Sequence, residues 1–183
     1  MQIIVSLLRL QSYAAKDKKI EDMFKVAQNR IRSMAIIHEK LYKSEDFANI
    51  NFASYILNLT THLMQTYQID PKQITLKTDV KDVHLDINQG VPVGLLINEL
   101  VSNALKHAFP KGKKGEIIVK FHADKKGKKT LIVSDNGIGH PDTLDLSKPK
   151  TLGLQLIKDL TKQIGGKLDL GNKAGTTFKI TFS

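Results

Sequence analysis

In NELVSNALKH, Asn98–His107, the polar side chains recur at helical spacing. Glu99 and Asn103 stand four residues apart and so share one face of a helix. Asn98 and Ser102 lie beside that face, and Lys106 and His107 follow within one further turn. A magnesium ion carried on a polyphosphate takes oxygen ligands, keeps several waters and needs few protein groups. The amide oxygen of Asn103 suits that task. Glu99, one turn earlier, is placed to orient or deprotonate an attacking group, and Lys106 can meet phosphate charge. A plain amphipathic helix with a polar solvent face shows the same spacing, so the rest of the chain has to decide.

Three glycine segments follow in order. DNGIGH, Asp135–His140, comes after the β-branched run KTLIVSD, which puts Asp135 at a strand end. Its carboxylate can accept a hydrogen bond from an exocyclic amine such as adenine N6. Gly137 and Gly139, on either side of Ile138, let the backbone turn and approach a planar ligand. DNG alone is also a hairpin signal. Thr151, Leu152, Gly153 and Leu154 lead from a loop into a helix, where the amides around Gly153 can face phosphate oxygens. The polar stretch between His140 and Lys150 reads as a mobile lid over those phosphates. Gly175 and Thr176 open a strand whose hydroxyls can reach a base through water. In this order, the segments describe a pocket for ATP with Mg²⁺. No GxxxxGK[ST] loop, protein-kinase signature or HExxH zinc motif accompanies them.

The elements that position these residues are legible in outline. Ile3, Leu7, Leu10 and Ala14 predict a helix near residues 2–15. Phe24, Ala27, Ile31, Met34, His38 and Leu41 predict a second, from Asp17 to about Lys43. Together they read as an antiparallel helical hairpin, too small to be stable alone, that would form a four-helix bundle with a second copy. Lys43–Asn51 reads as a linker. Asn51–Tyr67 is helical through Phe52, Ile56, Leu59 and Leu63, and Pro71 follows its end. ITLKTDV alternates like a half-buried strand, and VHLDI reads as a second short one. Gln89–Phe109 predicts a long helix, EIIVKFHAD and KTLIVSD a hairpin, Thr151–Ile164 a helix, and KLDLGN with GTTFKITF a closing hairpin. This order favours an α+β fold: a two-layer α/β sandwich with helices on one face of a mixed sheet. The expected division is a helical hairpin over residues 1–44 and an ATP-binding domain over residues 45–183.

The 183 residues include no cysteine, which excludes disulfides and thiolate metal sites and suits a reducing cytoplasm. No apolar run approaches the length of a membrane span. The opening apolar stretch lacks a basic n-region and is interrupted by Arg9, which disfavours a signal peptide. The formal charge of +10 is concentrated in Lys111–Lys114 and Lys125–Lys129, which read as solvated turns. No nucleic-acid-binding motif accompanies that charge and tryptophan is absent, so a nucleic-acid partner is not expected.

At these glycine segments the chain resembles the GHKL ATPase superfamily of gyrase-type, heat-shock-chaperone and mismatch-repair ATPases and histidine kinases. The resemblance covers about Asn51–Ser183 and implies a Bergerat ATP-binding fold. It implies that Asn103 is the magnesium ligand and Glu99 the residue one turn before it. Asp135 would be the adenine-reading carboxylate, and Gly137, Gly139, Gly153 and Gly175 the box glycines. LQSYAA with NRIRSMAIIHEKLYKSEDFANINFASYI resembles the dimerisation region of sensor histidine kinases of the second HisKA type. That implies a homodimer through the hairpin, and a response regulator receiver domain as partner in a two-component system. In that family the phosphoacceptor lies before the segment similar to QIIVSLLRLQS, so the acceptor position is expected to be absent from this chain and self-phosphorylation weak or absent. His38-Glu39 resembles the acceptor pair of other histidine kinases, but His38 falls on the apolar stripe, where a structural role is expected. The stretch before Lys150 lacks the phenylalanine of many histidine kinases, and Thr151 stands where many relatives carry glycine. An anti-sigma-type serine kinase uses the same fold, but the preceding hairpin disfavours it. A non-catalytic nucleotide-dependent interaction module is disfavoured by Glu99 and Asn103, and a DNA-clamp ATPase by the lack of a transducer domain after the site.

Overall fold

The computed structural model describes the chain apart from residues 1–3, 5, 9, 12–16, 43–51, 82, 142–143 and 173, together with the side chains of 18, 19, 21, 22, 25, 37–42 and 111. The described residues between 4 and 11 are helical. The turn expected after them and the Lys43–Asn51 linker lie outside the described residues. Helix α1 runs Lys18–Tyr42 and α2 runs Phe52–Thr66. Strand β1 (Ile74–Lys81) and the long helix α3 (Ile87–His107) come next. After them come β2 (Gly115–Ala123), β3 (Lys129–Asp135), α4 (Leu152–Gln163), β4 (Lys167–Gly171) and β5 (Thr177–Phe182).

The sheet order is β1-β2-β3-β5-β4. β1 and β2 are parallel, and the other pairs are antiparallel. This is the expected α+β sandwich with a mixed sheet. Alternation explains its two faces: Ile117, Val119 and Phe121 are buried under the helices, as are Leu131, Val133, Phe178, Ile180 and Phe182, while Lys120, His122 and Lys179 point the other way into solvent. The β2–β3 turn is built on Asp124, whose Oδ1 accepts from the amides of Lys126 and Lys128 at 2.8 and 2.9 Å.

VHLDI is not a strand. Val83 and Leu85 are buried, but residues 83–86 pair with no strand and lead into α3. Asp86 then caps that helix, its Oδ1 accepting from Gln89 N at 2.9 Å. Alternation here reports two inward side chains on an irregular connection, not a hydrogen-bonded edge.

α2 belongs to the sheet's core. Phe52 packs edge-on against Tyr55 and Phe121, with centroids at 5.4 and 6.2 Å, and Phe121 stacks on Phe182 at 6.1 Å. Each such ring buried contributes about 1.5–3 kcal/mol. Tyr55 is fully buried, and its hydroxyl has no hydrogen-bond partner among the described residues. Burial pushes that hydroxyl's pKa up, so it stays neutral. A methyl on Gly94 would lie 2.0 Å from Tyr55 Oη. Two results follow for urea denaturation. Tyr55→Phe should stabilise the chain by about 1 kcal/mol, because it removes an unpaired buried hydroxyl. Gly94→Ala should destabilise it by about 1–3 kcal/mol, and much less when combined with Tyr55→Phe.

Candidate functional site

A cavity of about 220 Å³ opens between the C-terminal half of α3, the ends of β3 and β5, and the loop before α4. Its apolar wall is Leu100, Ala104 and Ala108 from α3, with Val133 and Phe178, which are register partners on β3 and β5. That size suits a planar heterocycle, smaller than the clefts that bury a whole drug-sized ligand. Anything longer must leave through the mouth, toward α4.

Asp135 stands on the rim at the end of β3. Its Oδ1 accepts from Gly137 N at 2.9 Å and Thr176 N at 3.3 Å, and Asp135 N donates to Thr176 O at 2.9 Å. Two backbone donors thus fix one carboxylate oxygen in place. The other oxygen takes no hydrogen bond among the described residues. The flanking glycines make this possible. A methyl on Gly137 would lie 2.2 Å from Ala108 O, the carbonyl that accepts from Ile138 N at 3.0 Å. A methyl on Gly175 would lie 2.0 Å from Asp135 O, at a φ of 113°. These two glycines therefore seat the Asp135 loop against α3 and β5 and do not line the cavity.

His140 adds a group absent from the expected set. Its Nδ1 lies 3.0 Å from Pro141 O, a carbonyl that can only accept, so Nδ1 is the ring's donor in that contact. Nε2 then presents a lone pair, and it is buried without a partner among the described residues. An orphaned acceptor on the cavity wall, beside a carboxylate with a free oxygen, fits a heterocycle bearing amine or hydroxyl donors.

At the α4 end, Thr151 Oγ1 caps the helix, accepting from Leu154 N at 3.3 Å. A methyl on Gly153 would stand 3.2 Å from Glu99 Oε2 and 3.9 Å from Asn103 Oδ1. Two oxygen donors therefore face a helix N-terminus. Oxygens suit magnesium and the free amides suit phosphate, so the donor set fits a metal-bound polyphosphate. The segment before α4 is tied to it by Lys158 Nζ, which donates to Ser147 O at 2.7 Å.

Of the residues expected at the site, Asn103, His107, Asp135, Gly139, Thr151, Leu154 and Thr176 line the cavity. Asn98 and Glu99 are buried beneath it, at 1% and 4% exposure. Ile138 and Leu152 face solvent. Lys106 does not line the cavity: its Nζ sits 5.5 Å from the centroid of the Tyr67 ring. Burial, and then the Lys106 ammonium, lower the His107 imidazole below its ordinary range, so it is neutral at pH 7. The backbone of His38 is helical on α1, and its side chain is outside the described residues.

Glu99 is held by a residue that the sequence reading passed over. Arg30 of α1 donates from Nε to Oε1 at 2.7 Å and from Nη2 to Oε2 at 2.8 Å. That hydrogen bonding raises the Arg30 pKa against the opposing effect of burial. Ser33 Oγ lies between Asn29 O and Asn98 Oδ1, at 2.8 and 2.9 Å, sharing its one proton between them. Among the described residues there is no cluster of three or more His, Asp or Glu that could hold a metal on its own. None of the described helices is long and apolar enough to cross a membrane.

Comparison with known proteins gives consistent matches. A family model described as histidine kinase matches residues 1–67. One described as histidine kinase-, DNA gyrase B-, and HSP90-like ATPase matches residues 88–183. The chain is similar to the sensor histidine kinase PdtaS of Mycobacterium tuberculosis, with 27% identity over 173 residues, 93% of this chain and 34% of that protein. It therefore spans about a third of the length of that curated relative. Among solved structures, it is similar to the histidine kinase domain of the blue-light activated kinase EL346 of Erythrobacter litoralis. The TM-score is 0.77 at 19% identity, covering 98% of this chain and 83% of that one. The histidine kinase AdeS of Acinetobacter baumannii gives 0.61 at 16% identity, covering 98% and 94%. At these identities the structural likeness establishes the fold.

Proposed function

Since the chain belongs to the sensor histidine kinases with a histidine kinase-, DNA gyrase B- and HSP90-like ATPase domain, we propose that it is an ATP-dependent kinase module of a two-component sensor. In this reading residues 45–183 bind Mg-ATP and pass its γ-phosphoryl to a histidine, for relay to a response regulator receiver domain. Residues 1–44 contribute to a dimerisation hairpin. The observation that carries the reading is the cavity itself. It has an anchored Asp135 carboxylate at one end, and Glu99 and Asn103 oxygens facing the α4 N-terminus at the other.

The residues divide the work by chemistry. The free oxygen of Asp135 would accept from the adenine amine, and His140 Nε2 would accept a second donor of the nucleoside. Leu100, Ala104, Val133 and Phe178 would exclude water from the base. The capped N-terminus of α4 would meet phosphate oxygens. Asn103 would hold magnesium, which when bound neutralises developing phosphate charge. Glu99 would orient the attacking imidazole.

Calorimetry tests the pocket. Mg-ADP should bind, and Asp135→Asn should weaken it about 10–100-fold, since one hydrogen bond from a charged acceptor contributes about 1.5–3 kcal/mol. An Asp135→Asn variant that binds Mg-ADP like the parent would overturn the reading.

A further inference from the structure

Both oxygens of Glu99 are occupied by one guanidinium, although one of them, Oε2, stands beside Asn103 Oδ1 and Gly153, where the proposed metal would sit. Oε1 also accepts from Asn98 Nδ2 at 3.1 Å. The carboxylate is 4% exposed, so water screens it little. A divalent cation approaching that edge would meet the Arg30 charge at close range, in a poorly screened environment. The two cations are rivals for one carboxylate.

Further polar groups line the seam. Ser33 meets Asn98, while Asn29 Nδ2 and Ser102 Oγ are buried with no partner among the described residues. Permanent interfaces are predominantly apolar, and each orphaned group weakens this one. Met34 and Ile36 of α1 also pack against the core, but its direct polar hold on α3 is one ion pair and one hydroxyl over two unsatisfied polar atoms, a contact suited to release.

We propose that Arg30 is a positioning residue for phosphoryl transfer. It docks α1 on the catalytic helix through Glu99, and it must release that carboxylate when metal-loaded nucleotide binds, so docking and Mg-nucleotide occupancy oppose each other. The inference rests on reading the cavity as a Mg-nucleotide site. Undocked α1 carries its hairpin away from α3, and Glu99 turns to the reaction.

The test combines amide hydrogen exchange of residues 26–36 with calorimetry of ADP in magnesium or in EDTA. In the parent chain Mg-ADP should speed exchange in that stretch about tenfold or more, and ADP with EDTA should not. Arg30→Gln should exchange rapidly without ligand and bind Mg-ADP about 5–10-fold more tightly, with ADP in EDTA unchanged. Arg30→Lys, which lacks the planar fork, should fall between. Glu99→Gln should release α1 as Arg30→Gln does. The proposal is overturned if α1 stays protected while calorimetry shows Mg-ADP bound, or if Arg30→Gln binds Mg-ADP as the parent does. Absence of binding heat in every variant would instead sink the reading of the cavity, and with it the competition. The two failures are told apart by whether nucleotide binds at all.

Discussion

Gly175→Ala should destabilise the chain by about 2–6 kcal/mol and abolish nucleotide binding. The added methyl would stand 2.0 Å from Asp135 O and 2.8 Å from Asn136 Cα. Both are backbone atoms, so no side-chain rotation relieves the overlap. The φ of 113° adds strain of about 1–3 kcal/mol for any residue with a Cβ, and overpacking about 1–3 kcal/mol more. The distortion falls on the atoms that hold the Asp135 carboxylate, because Asp135 N donates to Thr176 O and Thr176 N donates to Asp135 Oδ1. Urea denaturation gives the stability loss and calorimetry the binding loss. Gly127→Ala is the matched control. Its φ is 78° but nothing lies within 4 Å of the added methyl. It should destabilise by only about 1–2 kcal/mol and leave Mg-ADP affinity unchanged.

Asn103→Ala should remove the magnesium dependence of nucleotide binding while leaving the fold intact. Asn103 lines the cavity, and its side chain takes no hydrogen bond among the described residues, so the protein itself loses little. Alanine is also the better helix former, by about half a kcal/mol. Metal-free ADP should bind Asn103→Ala within about twofold of the parent, since Asp135 and its hydrogen bonds are untouched. The gain that magnesium gives the parent should vanish, and phosphoryl transfer to a histidine-bearing partner should fall about 10²–10³-fold, the usual effect of removing one group that stabilises transition-state charge. Calorimetry with and without EDTA, beside an acid-labile phosphate assay, separates the two effects. An Asn103→Ala chain that keeps the parent's magnesium response would place the metal elsewhere.

Much of this site was legible before any fold was known. Glu99, Asn103 and His107 read as one region of a helix because 3.6 residues per turn brings them together. Asp135 read as a strand end because a β-branched run stops there. The wall of Leu100, Ala104 and Ala108 carried an equally plain four-residue stripe, but apolar spacing does not distinguish a ligand wall from a core contact. His140 was in view inside DNGIGH, yet its buried, unpartnered acceptor depends on a ring proton committed to Pro141 O. Gly137 reads as letting the backbone approach a ligand, and Gly175 as a box glycine at a strand start. Their close neighbours are in fact the backbones of Ala108 and Asp135.

The sequence by itself determined most of the elements, since each rests on spacing within a helix turn or a strand, and its glycine segments carried the resemblance to the ATPase family whose model matches residues 88–183. Only the tertiary structure decided that β1 runs parallel to β2, that Val83 and Leu85 are buried without pairing, and that Lys106 turns to Tyr67 rather than to the cavity. It also decided that Glu99 is held by Arg30, 69 positions away. The reason is physical: chain geometry fixes which side chains share a face, whereas the partner of that face is chosen among distant surfaces by packing, desolvation and charge.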